Sequence, residues 1–395
     1  MIVFNLRKNF YLCLLLIATH FVAYSNTVNP EDPCTCEQTD SIKGGYQDFT
    51  IYRNKVFNVD RNTNVVLSNK YGTIDVHTGN QSQVIVKVKI TVTSTSQSQA
   101  DRVFDRINIA FLEGPEFVKT ETQIEAPSKN SIIWTGNNDI KDCDFRIDYD
   151  VTMPAGNRLD ITNRHGNTTI AALKTAVKID QRYGDFRLDG ASSATVFLAY
   201  GGGELCSLNQ LNGSVNYGRL TSPNVKKGRI KSIYSQFRFD EIGDLEIESA
   251  YDSYDFNTIF NLRATCKYSS VNAKRVENIS AEGYRSGFKV VALGNNADFY
   301  DSKYDVIRIG GIKPNFGNIN IKGSNTDCIL VVDPMASYIL DVNGTYTNMS
   351  QPAAIKTKID NREPSRREVM GVVGNSANPK STIRAWMTYG EFRIR

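Results

Sequence analysis

The chain contains little histidine, no excess of one charge and no long apolar run beyond its first residues. Three of its 395 residues are histidine, so a catalytic histidine base has few places to occur. The formal net charge is +4, too even for a surface that holds nucleic acid or an anionic membrane by charge alone. We therefore expect no nucleic-acid partner. Glycine and proline are near their average frequencies, which excludes collagen-like and low-complexity chains.

Residues 1–25 have the features of a secretory signal peptide. Arg7 and Lys8 precede an apolar segment at 10–22 that is too short to span a bilayer. Ala23 and Ser25 supply the small residues that a signal peptidase needs. The alternative is a buried N-terminal helix. We expect an exported chain in the periplasm, at the cell surface or outside the cell, without a transmembrane segment after processing.

Cysteine is also scarce, and its spacing indicates neither a disulfide framework nor a metal site. Cys34 and Cys36 lack a second ligand pair at zinc spacing. A bridge from either residue to Cys143 remains open, and most other cysteines should pack as small apolar residues. We expect no metal, no cofactor and no catalytic residue.

The most informative feature is a repeat of tyrosine. A tyrosine recurs at every seventeenth position through the middle of the chain, six times in succession. A fixed interval of this kind is the mark of a stacked repeat architecture. The six residues form a predicted structural ladder: Tyr183, Tyr200, Tyr217, Tyr234, Tyr251 and Tyr268.

Apolar and polar residues alternate on both sides of each tyrosine. Val177 and Ile179 precede the first one, Phe186 and Leu188 follow it, and the positions between them are mostly polar. Alternation at period two predicts β-strands with one face inward. The parity changes after the tyrosine, so each repeat should be two short strands joined by a corner. Glycines such as Gly184 lie at that bend.

A strand–corner–strand unit this short cannot bury its own apolar face, whereas a stack of such units can. We therefore predict an all-β fold, a single-chain parallel β-helix or β-solenoid with coils of about 17 residues and one short helix near its N-terminal end. Propeller blades need ~40 residues, and sandwiches have no fixed period. The tyrosines share the parity of the inward residues, so their rings should stack inside one corner. On that basis Tyr217→Asp should destabilise the fold strongly.

The remaining segments divide the chain further. Apolar residues at helical spacing from Ala100 to Ile107 predict the helix, and Tyr304 restarts the repeat two residues late. The expected divisions are a flexible lead-in (26–48), N-terminal strands and a helix at about 97–108 that cap the solenoid (49–155), regular coils (156–342), and a loop with a closing coil (343–395).

Several motifs resemble a known family. The corners Asn163-Arg-His-Gly166 and Gln181-Arg-Tyr-Gly184, and the closing segment Met387-Thr-Tyr-Gly-Glu-Phe-Arg-Ile-Arg395, are the relevant ones. With the leader and the helix, they resemble the uncharacterised putative-adhesin β-solenoid domain family of bacteria, particularly its exported Bacteroidetes members. The likeness covers roughly residues 49–395. It implies the solenoid architecture and brings no catalytic residues.

The outer columns of the repeat favour binding over catalysis. Charges of both signs alternate along them, as Arg229, Glu246 and Arg263 illustrate, and this is typical of a solvated face. His165 falls in the tyrosine column and His77 in an outward position. We expect a non-enzymatic, adhesin-like envelope or surface protein with a repetitive face for a protein or glycan partner. A polysaccharide lyase or hydrolase and a passive periplasmic structural protein are the alternatives.

Overall fold

Strands make up most of the described chain, which comprises residues 45–79, 82–125 and 144–395 of a computed structural model. The predicted signal peptide (1–25) and most of the lead-in (26–48) lie outside the described residues, as do Cys34, Cys36 and Cys143.

The N-terminal segment builds the first coils and one end of the stack. Its elements are β1 (Gln47–Asn58), β2 (Asn64–Lys70), β3 (Ile74–Gly79), β4 (Gln83–Ser94), α1 (Gln97–Phe104), β5 (Ile107–Glu113), β6 (Phe117–Ile124) and β7 (Asp144–Pro154). Strands β2 and β3 pair in parallel with β6 and β7. Antiparallel β5 lies against β6, and antiparallel β4 and β1 continue from β7.

The helix is shorter than the sequence predicts. Helix α1 begins after Ser96, whose Oγ accepts a hydrogen bond from the Gln99 N–H at 3.4 Å. It packs on β4 and buries Ala100, Val103 and Phe104. It ends before the predicted boundary at 108, because the strand pairing of β5 with β6 has already begun at residue 107.

The regular stack follows, and it confirms the predicted β-solenoid. Its strands are β8 (Arg158–Arg164), β9 (Thr168–Ile170), β10 (Ala176–Arg182), β11 (Phe186–Leu188), β12 (Ser193–Ala199), β13 (Gly202–Leu205), β14 (Leu208–Asn216), β15 (Arg219–Ile233), β16 (Gln236–Ala250), β17 (Ser253–Lys267), β18 (Ser270–Tyr284), β19 (Gly287–Lys303), β20 (Val306–Ile312) and β21 (Asn318–Val332). Between β10 and β18, each residue pairs in parallel with its counterpart one repeat later, as Val177 does with Ala194 and Leu262 with Ile279.

Equivalent apolar residues lie above one another in the core. Ile230 pairs with Ile247, and Ile247 with Ala264, and all three are almost completely buried. Each coil therefore closes the apolar face of the coil before it, and apolar burial stabilises the stack as a whole.

The late restart of the repeat has a local cause. The register between β18 and β19 shifts once between Val276 and Asn278 and again between Ala281 and Glu282. Each shift adds one residue to β19. The corner residue that follows Arg285 is therefore Tyr304, which lies beyond position 302, where the regular interval would place it.

The C-terminal segment differs from the predicted loop and closing coil (343–395). It contains β22 (Tyr338–Ser350), β23 (Ile355–Arg362), β24 (Arg366–Val373) and β25 (Ser381–Ile394). Strand β25 lies between β21 and β22 and is parallel to both. Strands β24 and β23 then continue antiparallel from β22. Pro352, Pro364 and Pro379 lie in the turns between these strands.

Candidate binding surface

The six repeated tyrosines form a continuous stack along one corner of the solenoid. Successive ring centroids from Tyr183 to Tyr268 are 4.7–5.1 Å apart, and the rings are within 14° of parallel. Parallel pairing of the coils sets this spacing, because neighbouring strands lie about 4.8 Å apart. We call this stack and its continuations in the same column the tyrosine ridge.

The predicted inward direction of these rings is wrong. The side chains from Tyr183 to Tyr268 are 41–51% exposed. Their backbone has φ of 52–60°, the left-handed region. In that conformation the chain turns and directs the side chain outward. The inward position before the corner belongs instead to the residue two places earlier, such as the fully buried Gln181.

The ridge is longer than the six tyrosines. Tyr71 and His165 extend it at one end, with His165 between Tyr71 and Tyr183 at centroid distances of 5.1 and 4.8 Å. Beyond Tyr268, the Arg285 guanidinium lies 5.9 Å from the Tyr268 ring and 5.4 Å from the Tyr304 ring. These are cation–π distances. A final stacked pair, Tyr346 and Tyr389, has centroids 5.2 Å apart.

Glycine follows the corner residue in the first coils, and the reason is a close backbone approach. A Cβ on Gly184 would lie 2.1 Å from the Gly166 carbonyl oxygen, and one on Gly201 would lie 2.0 Å from that of Gly184. Gln181 Nε2 donates to the same Gly166 oxygen at 2.5 Å. At the Gly184 corner, a long inward amide and a glycine are thus packed together.

Later corners use small inward residues and a polar residue after the tyrosine. Ser235 N–H donates to Asp252 Oδ1 at 2.7 Å, and Asp252 N–H donates to Ser269 Oγ at 3.1 Å. The same pattern continues through Ser286, whose N–H donates to Asp305 Oδ1 at 2.8 Å. Side chains of one coil therefore satisfy backbone groups of the preceding coil in the dry interior.

Two acids in this polar column are buried. Burial raises the pKa of Asp252 although hydroxyl and backbone N–H groups donate to its carboxylate. Burial raises the pKa of Asp305 to about 6, and Oδ2 of Asp305 accepts no hydrogen bond from the described residues. Both carboxylates accept hydrogen bonds from serines and backbone N–H groups of the same column of corners, so they hold neighbouring coils together.

A second long feature is a groove of about 980 Å³, which is lined by residues of successive coils from Gln210 to Asp298. An amide ladder runs along it: Asn261 donates to Asp244 at 2.7 Å, and Asn278 and Asn296 each donate to the preceding asparagine at 2.9 Å. Chains of amide hydrogen bonds reinforce stacked strands. The amides of this ladder are therefore bonded to one another along the groove.

Charges beside this groove are also paired within the stack. Three basic residues of strand β15 lie opposite three acidic residues of strand β16. The Arg229 and Glu246 side chains meet at 2.6 Å, and Lys231 and Glu248 meet at 2.8 Å. The opposed pairs are Lys227 with Asp244, Arg229 with Glu246, and Lys231 with Glu248. On this part of the mixed-charge face, exposed side chains of opposite charge therefore pair across neighbouring strands.

The other reactive residue types are dispersed. His77 is exposed, with Nε2 3.9 Å from Asp150 Oδ1. Cys206, Cys266 and Cys328 are free thiols; the last two are buried. Across residues 45–79, 82–125 and 144–395, no group of three or more histidine, cysteine or acidic side chains could hold a metal ion.

The sequence predicted the tyrosine column, in which Arg285 fills the position one repeat after Tyr268, but missed two features of the surface. It did not identify the paired choice of Gln181 with Gly184. Covariation in size within each coil is the available signal: long inward residues accompany glycine, and small ones accompany serine or aspartate. It also missed Trp386, a lone exposed tryptophan on β25.

Comparisons with known proteins connect the chain to solved structures alone. No protein-family model and no curated protein matches it. A putative cell adhesion protein from Clostridium sporogenes is 9% identical, over 87% of this chain and 99% of its own, with a TM-score of 0.18. A putative adhesin from Parabacteroides merdae is 13% identical, over 62% and 95%, with a TM-score of 0.25.

A putative adhesin from Bacteroides fragilis is 11% identical, over 88% of this chain and 97% of its own, with a TM-score of 0.23. These three neighbours are a putative cell adhesion protein and two putative adhesins, from Clostridium and Bacteroidetes, the class that the sequence resemblance indicated. Within the described ranges, no helix is long and apolar enough to cross a membrane.

Proposed function

We propose that the chain is an exported envelope or surface protein, adhesin-like and non-enzymatic, whose tyrosine ridge binds an extended protein or glycan partner. The observation that carries this proposal is the row of half-exposed, regularly spaced rings from Tyr71 to Tyr268. The row is roughly 35 Å long at about 5 Å per coil.

The energetics of the ridge favour a role beyond stability. A non-glycine residue in the left-handed region costs roughly 1–2 kcal/mol. A stacked aromatic pair contributes about 0.5–1.5 kcal/mol. The two effects largely offset each other, so a tyrosine that stacks on both sides adds only about 1 kcal/mol to folding beyond what glycine would supply. Asn325 occupies one such corner at φ 52°.

The geometry of the stack defines what a partner could contact. Each ring face is covered by the next ring, so edges and phenol hydroxyls point outward. Each hydroxyl can both donate and accept, and tyrosine is enriched where proteins bind partners. A partner with polar groups repeating along an extended chain, such as a polypeptide or a polysaccharide, matches a line of hydroxyls.

A ridge variant tests the proposal. Tyr200, Tyr217 and Tyr234 are replaced together by asparagine, the residue found at corner 325. Phe260→Asn is the matched control, because Phe260 is an exposed aromatic ring on β17, outside the ridge. The purified chains are compared on a glycan array and in capture from a cell-envelope fraction, after melting curves show that they are folded.

We expect the wild-type chain and Phe260→Asn to capture the same partner, and the ridge variant to lose at least about tenfold in affinity. Equal capture by the ridge variant would assign binding to another surface. If the wild-type chain captures nothing from either source, the passive structural alternative is favoured.

Export is tested separately. Mass spectrometry of the chain from cells should find a mature N-terminus after Ser25. Digestion of intact cells with an added protease distinguishes a surface location, where the chain is cut, from a periplasmic one. A chain that retains Met1 in the cytosolic fraction contradicts the export proposal.

A further inference from the structure

Trp386 lies at the centre of an ordered polar surface near the C-terminal end. Its side chain is 46% exposed. It pairs across the sheet with Lys322 of β21 on one side and Asn343 of β22 on the other, and Asn343 pairs in turn with Glu368 of β24. Four strands therefore place a cation, an indole, an amide and a carboxylate in one row.

A second row lies two residues further along the same strands. Thr388 follows Trp386 on β25, and Arg366 lies on β24 in the row of Thr388. Arg366 Nη2 donates to Asn343 Oδ1 at 3.4 Å. These side chains line a groove of about 620 Å³, a size typical of small-molecule sites.

The surface around Trp386 differs from the tyrosine ridge. The ridge tyrosines cover each other's faces, whereas the Trp386 indole makes no ring-stacking or cation–π contact with any part of the chain that the structure describes. Its cross-strand neighbours are polar, so it is not part of the apolar centre that a protein interface needs. An isolated indole surrounded by donors and acceptors suits a ligand with an apolar face and a polar rim.

We infer that this groove, the Trp386 groove, binds a sugar unit of an uncharged glycan. The C–H face of a pyranose ring would lie on the indole. Its hydroxyls, which both donate and accept, would meet Lys322, Asn343, Thr388 and Glu368. Two basic residues, Lys322 and Arg366, and two acidic residues, Asp301 and Glu368, line the groove, so its formal charges are balanced. This balance favours a neutral sugar over an acidic one.

The topology explains why this site is specific to the C-terminal end. Strand β25 enters the stack between β21 and β22. It therefore places Trp386 beside Lys322 and Asn343, which belong to coils much earlier in the chain. The regular coils contain no tryptophan in the corresponding column. None of the three tyrosines changed in the ridge variant lines this groove, so this inference and the proposed function can fail independently.

Tryptophan fluorescence provides a direct test. The chain has two tryptophans, and the other, Trp134, lies outside the described residues. In the full chain with Trp134→Phe, emission reports Trp386 alone. The probes are cellotetraose, maltotetraose, xylotetraose, mannotetraose and chitotetraose, with polygalacturonate as the acidic comparator.

We expect at least one neutral probe to quench and shift the emission in a saturable manner, and polygalacturonate to bind more weakly. In calorimetric titrations, Trp386→Ala should weaken binding at least about tenfold. Phe260→Ala and the ridge variant should leave it unchanged. Melting curves establish that Trp386→Ala is folded.

Three results would overturn the inference. The first is no change in emission with any neutral probe, and the second is a preference for the acidic probe. The third is capture of an envelope protein that depends on Trp386 and persists after enzymatic removal of its glycans. Loss of partner capture in the ridge variant, with sugar binding retained, would uphold both proposals at separate sites.

Discussion

Gln181 and Gly184 form a matched pair at one corner of the solenoid. The Gln181 amide donates to the Gly166 carbonyl oxygen at 2.5 Å. A Cβ on residue 184 would lie 2.9 Å from that amide nitrogen and 2.1 Å from the same carbonyl oxygen. Two coils approach closely here because the residue after the corner has no side chain, and the buried Gln181 amide satisfies the half-buried Gly166 carbonyl group.

We predict that Gly184→Ala destabilises the protein strongly, because backbone atoms on a neighbouring coil cannot move aside as a flexible side chain could. The expected loss is roughly 3 kcal/mol of unfolding free energy. Gly287→Ala is the control, since a Cβ there meets no atom within 4 Å. Urea unfolding measures both variants. Equal midpoints for the two would contradict the close packing of this corner.

The pairing of residues 181 and 184 leads to a second prediction. Later corners combine a small inward residue with a polar one, as Ser232 does with Ser235. Gln181→Ser with Gly184→Ser should therefore be more stable than the sum of the two single changes predicts. A double-mutant cycle with a coupling energy of about 1 kcal/mol is expected. A coupling energy of zero would mean that the two positions act separately.

The fold could be predicted because a repeat translates directly into stacking. Residues one repeat apart must lie in equivalent places if coils are stacked, so Val177, Ala194 and Leu211 identified one core column without any knowledge of coordinates. The restart at Tyr304 was also visible as a change of interval. These inferences rest on spacing alone, which the sequence contains.

The direction of the ridge could not be predicted in the same way. Counting parity assumes an extended backbone, and one left-handed residue breaks the count at Tyr183. The sign of φ is not visible in a tyrosine, although it would be in a glycine. Trp386 was missed for a different reason: its neighbours depend on the insertion of β25 between two earlier coils. A prediction from the repeat alone stacks the coils in chain order, so it does not anticipate this insertion.

Replacements of Tyr217 separate stacking from backbone strain. Because its ring is exposed, the strong effect first expected of Tyr217→Asp is replaced by a smaller one. Tyr217→Ala loses stacking with Tyr200 and Tyr234, each 5.1 Å away, and retains φ of 54°. We expect a loss of roughly 2 kcal/mol. Tyr217→Gly should lose about 1 kcal/mol less, since glycine tolerates that φ.

Chemical denaturation of the three Tyr217 variants gives the comparison. The unfolding free energy of Tyr217→Asp should be close to that of Tyr217→Ala, because the position is open to water. If Tyr217→Asp alone failed to fold, the ring would be buried in solution. Identical midpoints for Ala and Gly would show that the corner is free of strain.

Cross-strand charges should fix the register of neighbouring coils. Lys231 and Glu248 meet at 2.8 Å, and the next residues in their column, Ser214 and Thr265, are uncharged. Lys231→Glu should cost roughly 0.2–1 kcal/mol at low salt. Adding Glu248→Lys should recover most of this loss.

Thermal melting at low ionic strength and at about 1 M NaCl (Debye length about 3 Å) measures the effect of these charges on stability. High salt should suppress this effect. Unequal stabilities of the wild-type chain and the exchanged pair at high salt would indicate a packing effect.

Asp305 should make stability depend on pH in an unusual direction. Burial raises its pKa from 3.8 to about 6, so the folded state holds a proton that the unfolded state has released between those values. Stability from this residue is therefore present at low pH and falls as pH rises from about 4 to 6.

Asp305→Asn keeps an oxygen that can accept from the Ser286 N–H. It should melt a few degrees above the wild-type chain at pH 7 and show a flatter profile between pH 4 and pH 6. Asp240→Asn, which removes an exposed carboxylate, controls for the change in net charge. If the melting temperatures of the wild-type chain and of both variants changed to the same extent between pH 4 and pH 6, the pH dependence would belong to other groups.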